Sequence, residues 1–275
     1  MRYLLYMSEN IYKTALKRTL DTYGILLALI FVALLIISSW VAKHSLDAAG
    51  VFFSIIGIFF PVCIVLFAIT IQKVRIELYT QLAKELGLSY FRNKDNTFTH
   101  PFLEKNKHIE HLLHIMHGTL EGEPFIYSLY TYTVGSGKNS RTYTYSVIII
   151  DLPVSVPHII ISDDGHRFTF GLPYPESLNL PSHMRKITLE GNFSHERDVY
   201  VEVEHEIEAY QLLSPDTMSF LLDHIGDVEI ELVENELFIY KRHELNRKSE
   251  ILDFISLYKT LYSHIKRTIP SIQKH

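Results

Sequence analysis

The longest apolar stretches of the chain lie near its N-terminus. Two uncharged runs, at 24–42 and 51–71, are separated by the eight residues KHSLDAAG. At about 1.5 Å per residue, each run is long enough to cross a hydrocarbon core of about 30 Å. The Ile, Leu, Val and Phe residues of the first run favour insertion by about 4–7 kcal/mol in total. The pattern predicts a transmembrane helical hairpin.

A weaker amphipathic pattern precedes the first run. Between residues 8 and 22, apolar side chains recur at helical spacing, with lysine and arginine on the other side. This spacing predicts a helix that lies in the membrane interface and leads into the first span. A frayed basic segment is the alternative. With the hairpin, these residues make up a predicted membrane anchor over 1–72.

Basic residues flank the hairpin on one side only. They precede the first run and follow the second, as Arg2, Lys13, Lys17, Arg18, Lys73, Arg75 and Lys84. The connecting loop holds only Lys43, which Asp47 offsets. By the positive-inside rule, we expect both termini in the cytoplasm and the loop outside.

From His111 onward the hydrophobic period changes from that of a helix to two, which is typical of strands. The predicted strands lie at 111–120, 125–134, 141–152, 158–162, 185–191 and 198–204. Pro153 and Pro157 are expected to end the third of these strands. A hairpin is predicted at 228–240, with its two-residue turn at Glu234 and Asn235.

Helix signals occur at both ends of this strand-rich region. The second apolar run is predicted to continue as a helix until Gly87 stops it. Ser214, followed by Pro215, predicts another helix start, and Ser249 is expected to cap a final helix. Polar segments at 92–107 and 171–182 predict loops. Residues 73–275 are thus expected to form a cytosolic α+β domain, a mainly antiparallel sheet with packed helices.

Charge narrows the possible partners of this domain. Residues 73–275 hold 21 of the 26 Lys and Arg residues and 28 of the 31 Asp and Glu residues, a net charge of −7. Non-specific nucleic-acid binding needs a basic face, so a nucleic-acid partner is not expected. The single cysteine, Cys63, lies inside the second apolar run and cannot form a disulfide within the chain.

Tyrosines crowd the central predicted hairpin. They are Tyr127, Tyr130, Tyr132, Tyr143 and Tyr145. Opposed aromatic residues on neighbouring strands stabilise a hairpin by about 0.2–1 kcal/mol per pair. Packing in the core or across the strands is one interpretation, and an open patch that binds a partner is the other.

Two further clusters suggest metal chemistry at first sight. His108, His111, His114 and His117 repeat every third residue, but a strand sends such positions to alternate faces. His111, His114 and His117 remain a weak alternative metal site. The glutamates from Glu202 to Glu208 alternate along the chain, and on a strand they would form either a cation site or a solvated face.

No motif for nucleophilic catalysis, zinc binding or nucleotide binding occurs in the sequence, and no cofactor is predicted. GSGKN at 135–139 lacks the residues of a phosphate-binding loop and predicts a hairpin turn. The favoured function is therefore a non-enzymatic, membrane-tethered binding or assembly domain with a protein partner at the membrane surface. The alternatives are a membrane-tethered enzyme acting on a lipid or peptide, which could use the histidines as metal ligands, and a channel or transporter subunit.

Two stretches carry a resemblance to a known group. HGTLEGEPFIYSLYTYTVGSGKNSRTYTYSVIIIDLP at 117–153 and LLSPDTMSFLLDH at 212–224 resemble segments of uncharacterised bacterial membrane proteins. Such proteins have two N-terminal transmembrane helices and a cytosolic α+β domain of unknown function. The resemblance implies a location in the bacterial inner membrane and assigns no functional residue.

Overall fold

The computed structural model of the chain describes residues 10–44, 48–93, 111–120, 122–134, 137–163, 184–189, 193–224, 228–241 and 243–272. The predicted loop at 171–182 lies outside these ranges, as does the loop at 92–107 from residue 94 onward. The chain divides into two compact units, which are described in turn. The first comprises Met1–Gln81 with Asn246–Ser249, and the second Leu82–Leu245 with Glu250–His275.

Two long helices dominate the first unit. Helix α1 spans Ile11–His44, and helix α2 begins at Ala48 and ends at Leu86. The predicted lead-in and the first apolar run therefore form one continuous helix. Near its start, Ile11 and Ala15 are buried. Arg18 Nη1 donates to both carboxylate oxygens of Glu77, at 2.9 and 2.8 Å, and this ion pair links α1 to α2.

The apolar side chains of these helices are turned outward. Segments Ile11–Ile37 and Phe59–Leu86 are each long and apolar enough to cross a membrane. Ile25 is 81% exposed, and large apolar side chains stay exposed from there to Ile37 and again between Phe60 and Ile69. Pro61 lies inside α2. A helix with this surface is suited to lipid, which solvates apolar side chains, and not to water.

Gly87 ends helix α2, as predicted. It adopts a φ of 71°, which is readily accessible only to glycine. The amide of Leu88 donates to the carbonyl of Ala83 at 2.8 Å, and the amide of Gly87 donates to the carbonyl of Lys84 at 3.3 Å. These two bonds form a Schellman cap, which satisfies the last carbonyls of the helix and turns the chain into the first strand.

In the described residues, the second unit is built on a seven-stranded sheet in which every strand pair is antiparallel. Its strands are β1 Ser89–Asn93, β2 His111–Leu120, β3 Glu123–Val134, β4 Arg141–Asp163, β5 Met184–Ile187, β6 Arg197–Glu202 and β7 Val228–Lys241. Their order is β1-β2-β3-β4-β6-β5, with β7 paired to β4. The predicted α+β fold is confirmed.

Helices of the second unit pack on this sheet. They are α3 Phe193–Glu196, α4 Glu206–Leu212, α5 Pro215–His224 and α6 Lys248–Ile272, with 3-10 turns at Gly137–Asn139 and Val203–His205. Ser214 caps α5 as predicted, because its Oγ accepts a bond from the amide of Thr217 at 3.3 Å. Along α6, Phe254 and Tyr258 lie against Tyr127 and Phe125 of β3, with ring centroids 6.5 and 5.2 Å apart.

Strand β4 passes through the prolines that were expected to end it, so the prediction of two separate strands is wrong. Its pairing with β7 shifts register between Asp151 and Val156, and again between Val156 and Ile159. Pro153 lies in the first irregular stretch and Pro157 in the second. A proline has no N–H to donate, and a bulge is where a strand can accommodate it.

Strand β7 is also one element, so the hairpin predicted at 228–240 is wrong. It runs antiparallel to β4 throughout, from Ile230 opposite Ile161 to Lys241 opposite Ser146. A two-residue turn of type I′ needs a positive φ at both central residues, and here only Glu234 has one, at 55°. Glu234 lies opposite Val156, between the two register shifts of β4. Beyond Glu234, β7 continues as the same strand without reversing direction.

Ser146 fastens the connection between β7 and α6. Its buried hydroxyl donates to the carbonyl of His243 at 3.1 Å and accepts from the amide of Leu245 at 3.0 Å. The carbonyl of His243 and the amide of Leu245 thus share one hydrogen-bond partner, the Oγ atom of Ser146 in β4.

Replacing Ser146 by alanine is therefore expected to destabilise the fold by about 1–3 kcal/mol, since a buried donor and acceptor lose their partner. Urea unfolding of the full chain in detergent micelles, followed by the circular dichroism of the sheet, would measure the loss. Ser140→Ala, in an exposed turn, is the matched control and should change little. Equal effects of the two substitutions would contradict the assigned role of Ser146.

Candidate functional site

The tyrosine-rich hairpin is formed by β3 and β4. Tyr130 lies opposite Tyr145 and Tyr132 opposite Tyr143. Tyr130 and Tyr145 are buried in an apolar cluster, and Tyr143 is 39% exposed. Tyr127 is buried on the opposite face, against α6. The side chain of Tyr132 lies outside the described residues.

The five tyrosines therefore do not share one surface. Successive residues of a strand face opposite sides, so Tyr127 cannot join Tyr130 and Tyr145 in a single patch. Of the four whose side chains are described, only Tyr143 is exposed. Its use as a binding residue remains a prediction.

The histidines of β2 are separated by a bulge. His114 has a positive φ of 53°, within the register shift between Leu113 and Met116. Tyr90 Oη lies 2.8 Å from His114 Nδ1, whereas His117 stacks on Phe91 with ring centroids 5.1 Å apart. Burial raises the pKa of Tyr90 to about 12, with nearby Arg92 acting in the opposite direction.

Tyr90 and Phe91 are consecutive residues of β1 and so point to opposite faces. His114 and His117 are thus held on different sides of the sheet and do not converge. The side chain of His111 lies outside the described residues. Across the part of the chain that the structure describes, no group of three potential metal ligands comes together.

The glutamates between Glu202 and Glu208 do not form the predicted stripe, because β6 ends at Glu202. The chain then forms a 3-10 turn and helix α4, which disperse alternate residues around the helix axis. Glu206 forms an ion pair with Arg185. His205 lies 3.9 Å from Glu202 and 3.7 Å from Glu208.

The same helical segment exposes an apolar stripe that the sequence patterns did not reveal. Val203 lies in the 3-10 turn, Ile207 and Tyr210 lie three residues apart in α4, and Ile207 is 71% exposed. Together with Tyr143, they are the large apolar side chains that the second unit leaves exposed among its described residues. We call Val203, Ile207 and Tyr210 the acidic-edged stripe, because Glu204 and Glu208 follow Val203 and Ile207 directly in the sequence.

A buried ionisable pair joins β4 to β7. Glu231 lies opposite Ile160, and His158 occupies the next position on the same face. His158 Nε2 is 2.7 Å from Glu231 Oε1, and their side chains are 10% and 1% exposed. Glu231 Oε2 has no hydrogen-bond partner among the described residues. Burial raises the pKa of the Glu231 carboxyl, and the hydrogen bond and charge of His158 act in the opposite direction.

This pair resembles a catalytic proton-transfer pair only in its residue types. A carboxyl with a raised pKa beside an imidazole is a common arrangement for proton transfer. Here both groups are largely buried, and the Glu231 carboxyl is almost fully so. The pair is a structural contact that holds the two strands together.

An open cleft of about 560 Å³ lies beside the first turns of α6. Its apolar lining comes from Phe220, Leu245, Phe254 and Leu257. The lining also includes the charged or titratable residues Lys241, His243, Glu250 and Asp253. Such a mixed lining suits a short protein segment with apolar side chains and charges of both signs.

Comparison with known proteins gives one structural likeness. No protein-family model matches the sequence, and no curated protein does. The crystal structure of the mycobacterial trehalose monomycolate transport factor A, TtfA, is similar over 72% of this chain and 94% of that one. Sequence identity is 11% and the TM-score is 0.45. A likeness at this level says nothing about what the chain does.

Proposed function

We propose that the chain is a membrane-anchored assembly protein, in which α1 and α2 hold the α+β unit at the cytoplasmic face of the bacterial inner membrane. The observation that carries this is the outward display of apolar side chains along both helices, as at Ile25 and Phe60. Water would penalise each such side chain by about 1.5–3 kcal/mol relative to burial, and lipid removes that penalty. The hairpin is the anchor, and the α+β unit is the part that meets partners.

The surfaces of the α+β unit support a binding role. The acidic-edged stripe and the cleft beside α6 are open and combine apolar with charged side chains. The pair of His158 and Glu231 is largely buried. The partner that suits these surfaces is a protein at the membrane surface, because the net negative charge of this part of the chain opposes anionic lipid and nucleic acid.

The topology can be tested with reporter fusions in a bacterial host. A reporter that is active only outside the cytoplasm should be active when fused after Leu46 and inactive when fused after His275. A reporter that fluoresces only in the cytoplasm should give the reverse. The basic flanks at Lys17, Arg18, Lys73 and Arg75 are the reason for this orientation.

Extraction tests the anchoring itself. The full chain should stay in the membrane pellet after washing at alkaline pH and should be released by detergent. Release by alkaline washing alone would show that the helices do not span the bilayer. Reporter activity on the same side at both positions would exclude the hairpin.

A further inference from the structure

The hairpin of β3 and β4 extends past the rest of the sheet. Among the described residues, the pairing of β3 with β2 reaches only Thr131, and that of β4 with β7 reaches only Ser146. Beyond these positions β3 and β4 continue to pair with each other, as far as Arg141, the first residue of β4. A two-stranded arm therefore projects from the sheet. We call its described residues, 132–134 and 137–145, the β3–β4 arm.

The β3–β4 arm is the basic part of an acidic domain. Residues 124–150 include two basic residues, Lys138 and Arg141, and no acidic residue. Residues 73–275 as a whole hold 21 basic and 28 acidic residues, a net charge of −7. Lys138 lies in the 3-10 turn and Arg141 opens β4, and both side chains are exposed. Within the described part of the chain neither forms an ion pair, so their positive charges are open to a partner.

One face of the β3–β4 arm leads from the core to this charge. Alternate residues of a strand share a face, so Tyr145, Tyr143 and Arg141 form one row. Tyr145 is buried in the apolar cluster of the sheet, Tyr143 is 39% exposed, and Arg141 is exposed. A segment that lies beside this row meets an aromatic ring and, two residues away, a guanidinium group.

Along the β3–β4 arm, β4 continues past the end of β7. β7 occupies the edge of β4 from Ser146 onward, and no described strand continues it beside residues 141–145. Arg141, Thr142 and Tyr143 are exposed there. A strand edge presents backbone donors and acceptors with which an extended peptide can pair. Five residues of strand provide an edge of about 17 Å.

Charge selects the occupant of this edge. Lysine and arginine at a strand edge disfavour pairing with an identical edge, so a second copy is a poor partner. Anionic lipid is drawn by clusters of roughly four to eight basic residues, and the β3–β4 arm has two. Lipid and nucleic acid also offer no peptide groups to a strand edge. The occupant that matches both the charge and the backbone groups is an extended acidic segment of a protein.

We propose that an extended acidic segment of a partner protein binds along residues 141–145 as an added strand, in the position that β7 occupies further along β4. The backbone of the segment pairs with the edge of β4, and its carboxylates bind Arg141 and Lys138. An apolar side chain two residues from the acid packs on Tyr143. The proposal rests on the binding role proposed above and names the chemistry of the partner.

Binding of short peptides to the full chain in micelles of an uncharged detergent tests this contact. The probe is a five-residue peptide, fluorescently labelled at its amino end and amidated, with glutamate at both ends, valine in the centre and threonine between. It presents acid and valine on one face in either strand direction. Binding is expected by fluorescence anisotropy. The same peptide with lysine in place of glutamate should bind on the order of tenfold more weakly.

A backbone-blocked peptide separates strand pairing from charge attraction. N-methylation of its amides keeps the glutamates and removes the backbone donors, so its affinity should fall on the order of tenfold. Hydrogen exchange of residues 141–145 should become slower when the acidic peptide is bound, and should not change when the N-methylated peptide is added at the same concentration. Strand β1, which lies at another edge of the sheet, is the internal control and should exchange as before.

Charge reversal tests the two basic residues. Arg141→Glu should lower the affinity for the acidic peptide on the order of tenfold. Arg267→Glu, at an exposed position of α6, is the matched control and should change it little. Lys138→Glu with Arg141→Glu should reverse the preference, so that the lysine peptide binds more tightly than the acidic one. Circular dichroism shows whether each variant keeps its sheet, and Arg141→Gln gives the same comparison if reversal unfolds it.

The proposal is overturned if the acidic peptide does not bind, if Arg141→Glu binds it as tightly as the unaltered chain does, or if the N-methylated peptide binds as well as its parent. Protection of residues 141–145 that grows with protein concentration in the absence of peptide would identify a second copy as the occupant. Protection that appears only with phosphatidylglycerol in the micelles would identify lipid. Either result would also overturn the proposal. The extraction and reporter tests use the chain without peptide, so their outcome decides the anchoring proposal separately.

Discussion

Replacing His158 by leucine is expected to lower the free energy of unfolding by about 3–5 kcal/mol at neutral pH. The substitution removes the only hydrogen-bond partner that the described residues provide for the Glu231 side chain, at 2.7 Å, and leaves that carboxyl buried. Urea unfolding of the full chain in detergent micelles, followed by circular dichroism, would measure the loss.

The pH dependence of this loss has a definite sign. Burial raises the pKa of Glu231 above its ordinary value of 4.5, so the folded state holds the proton more tightly than the unfolded state does. The stability associated with the protonated carboxyl is fully present below about pH 4.5 and is lost as the pH rises through the folded pKa. In His158→Leu nothing opposes this rise, so the destabilisation should be smallest near pH 4 and should grow toward pH 7 and above.

A double substitution provides the control. His158→Leu with Glu231→Leu removes both polar groups, and replacing a buried pair by apolar side chains is often neutral or stabilising. The double variant should therefore regain most of the stability that the single variant loses, and its stability should not carry the pH dependence of Glu231. A double variant as unstable as His158→Leu would mean that packing volume, and not the orphaned carboxyl, causes the loss.

Tyr127→Ala is the second substitution expected to have a large effect, at about 3–5 kcal/mol. Tyr127 is fully buried, and its ring meets Phe254 of α6 edge-on at a centroid distance of 6.5 Å. Its removal leaves a cavity between the sheet and the helix. The measurement is the same urea unfolding of the full chain.

Tyr143→Ala is the matched control within the same hairpin. Its side chain is 39% exposed, so the loss should stay within about 0.5 kcal/mol. If both substitutions destabilise the protein equally, the assignment of Tyr127 to the core and Tyr143 to the surface fails. If they differ as expected, Tyr143→Ala becomes a folded variant with which to test binding at the hairpin.

Features set by nearby residues could be predicted from the sequence. The apolar runs, the strand–turn–strand unit around Gly122, the helix stop at Gly87 and the cap at Ser214 all depend on residues within a few positions of one another. The class of fold followed from the order of these elements. These signals can be recognised without knowing which residues lie on the neighbouring strands.

Features set by distant partners could not be predicted. Pro153 and Pro157 are ordinary strand-ending signals, and they are tolerated here because β4 bulges at both prolines where it pairs with β7. Glu234 and Asn235 likewise resemble a weak turn signal, yet the residues on both sides of them pair with β4 as one strand. Only the pairing of residues far apart in the chain decides these two cases.

The candidate sites were missed for a related reason. Glu229 and Glu231 alternate with apolar residues as on a half-exposed strand, yet both are buried. The alternation from Val199 to Val203 predicted a strand at 198–204. Val203–His205 instead form a 3-10 turn and Glu206–Leu212 a helix, and Val203, Ile207 and Tyr210 of this segment are exposed.

The central position of β4 also determines how late in synthesis the sheet can be completed. Ile161 pairs with Ile230, which is synthesised roughly 70 residues later, and Ser146 pairs with Lys241, which is synthesised roughly 95 residues later. At about 5–20 residues per second, the β7 side of β4 stays open for several seconds after it leaves the ribosome. An open edge rich in isoleucine is prone to aggregation. Helices α1 and α2 precede β4 in the chain, so both have left the ribosome before this edge forms.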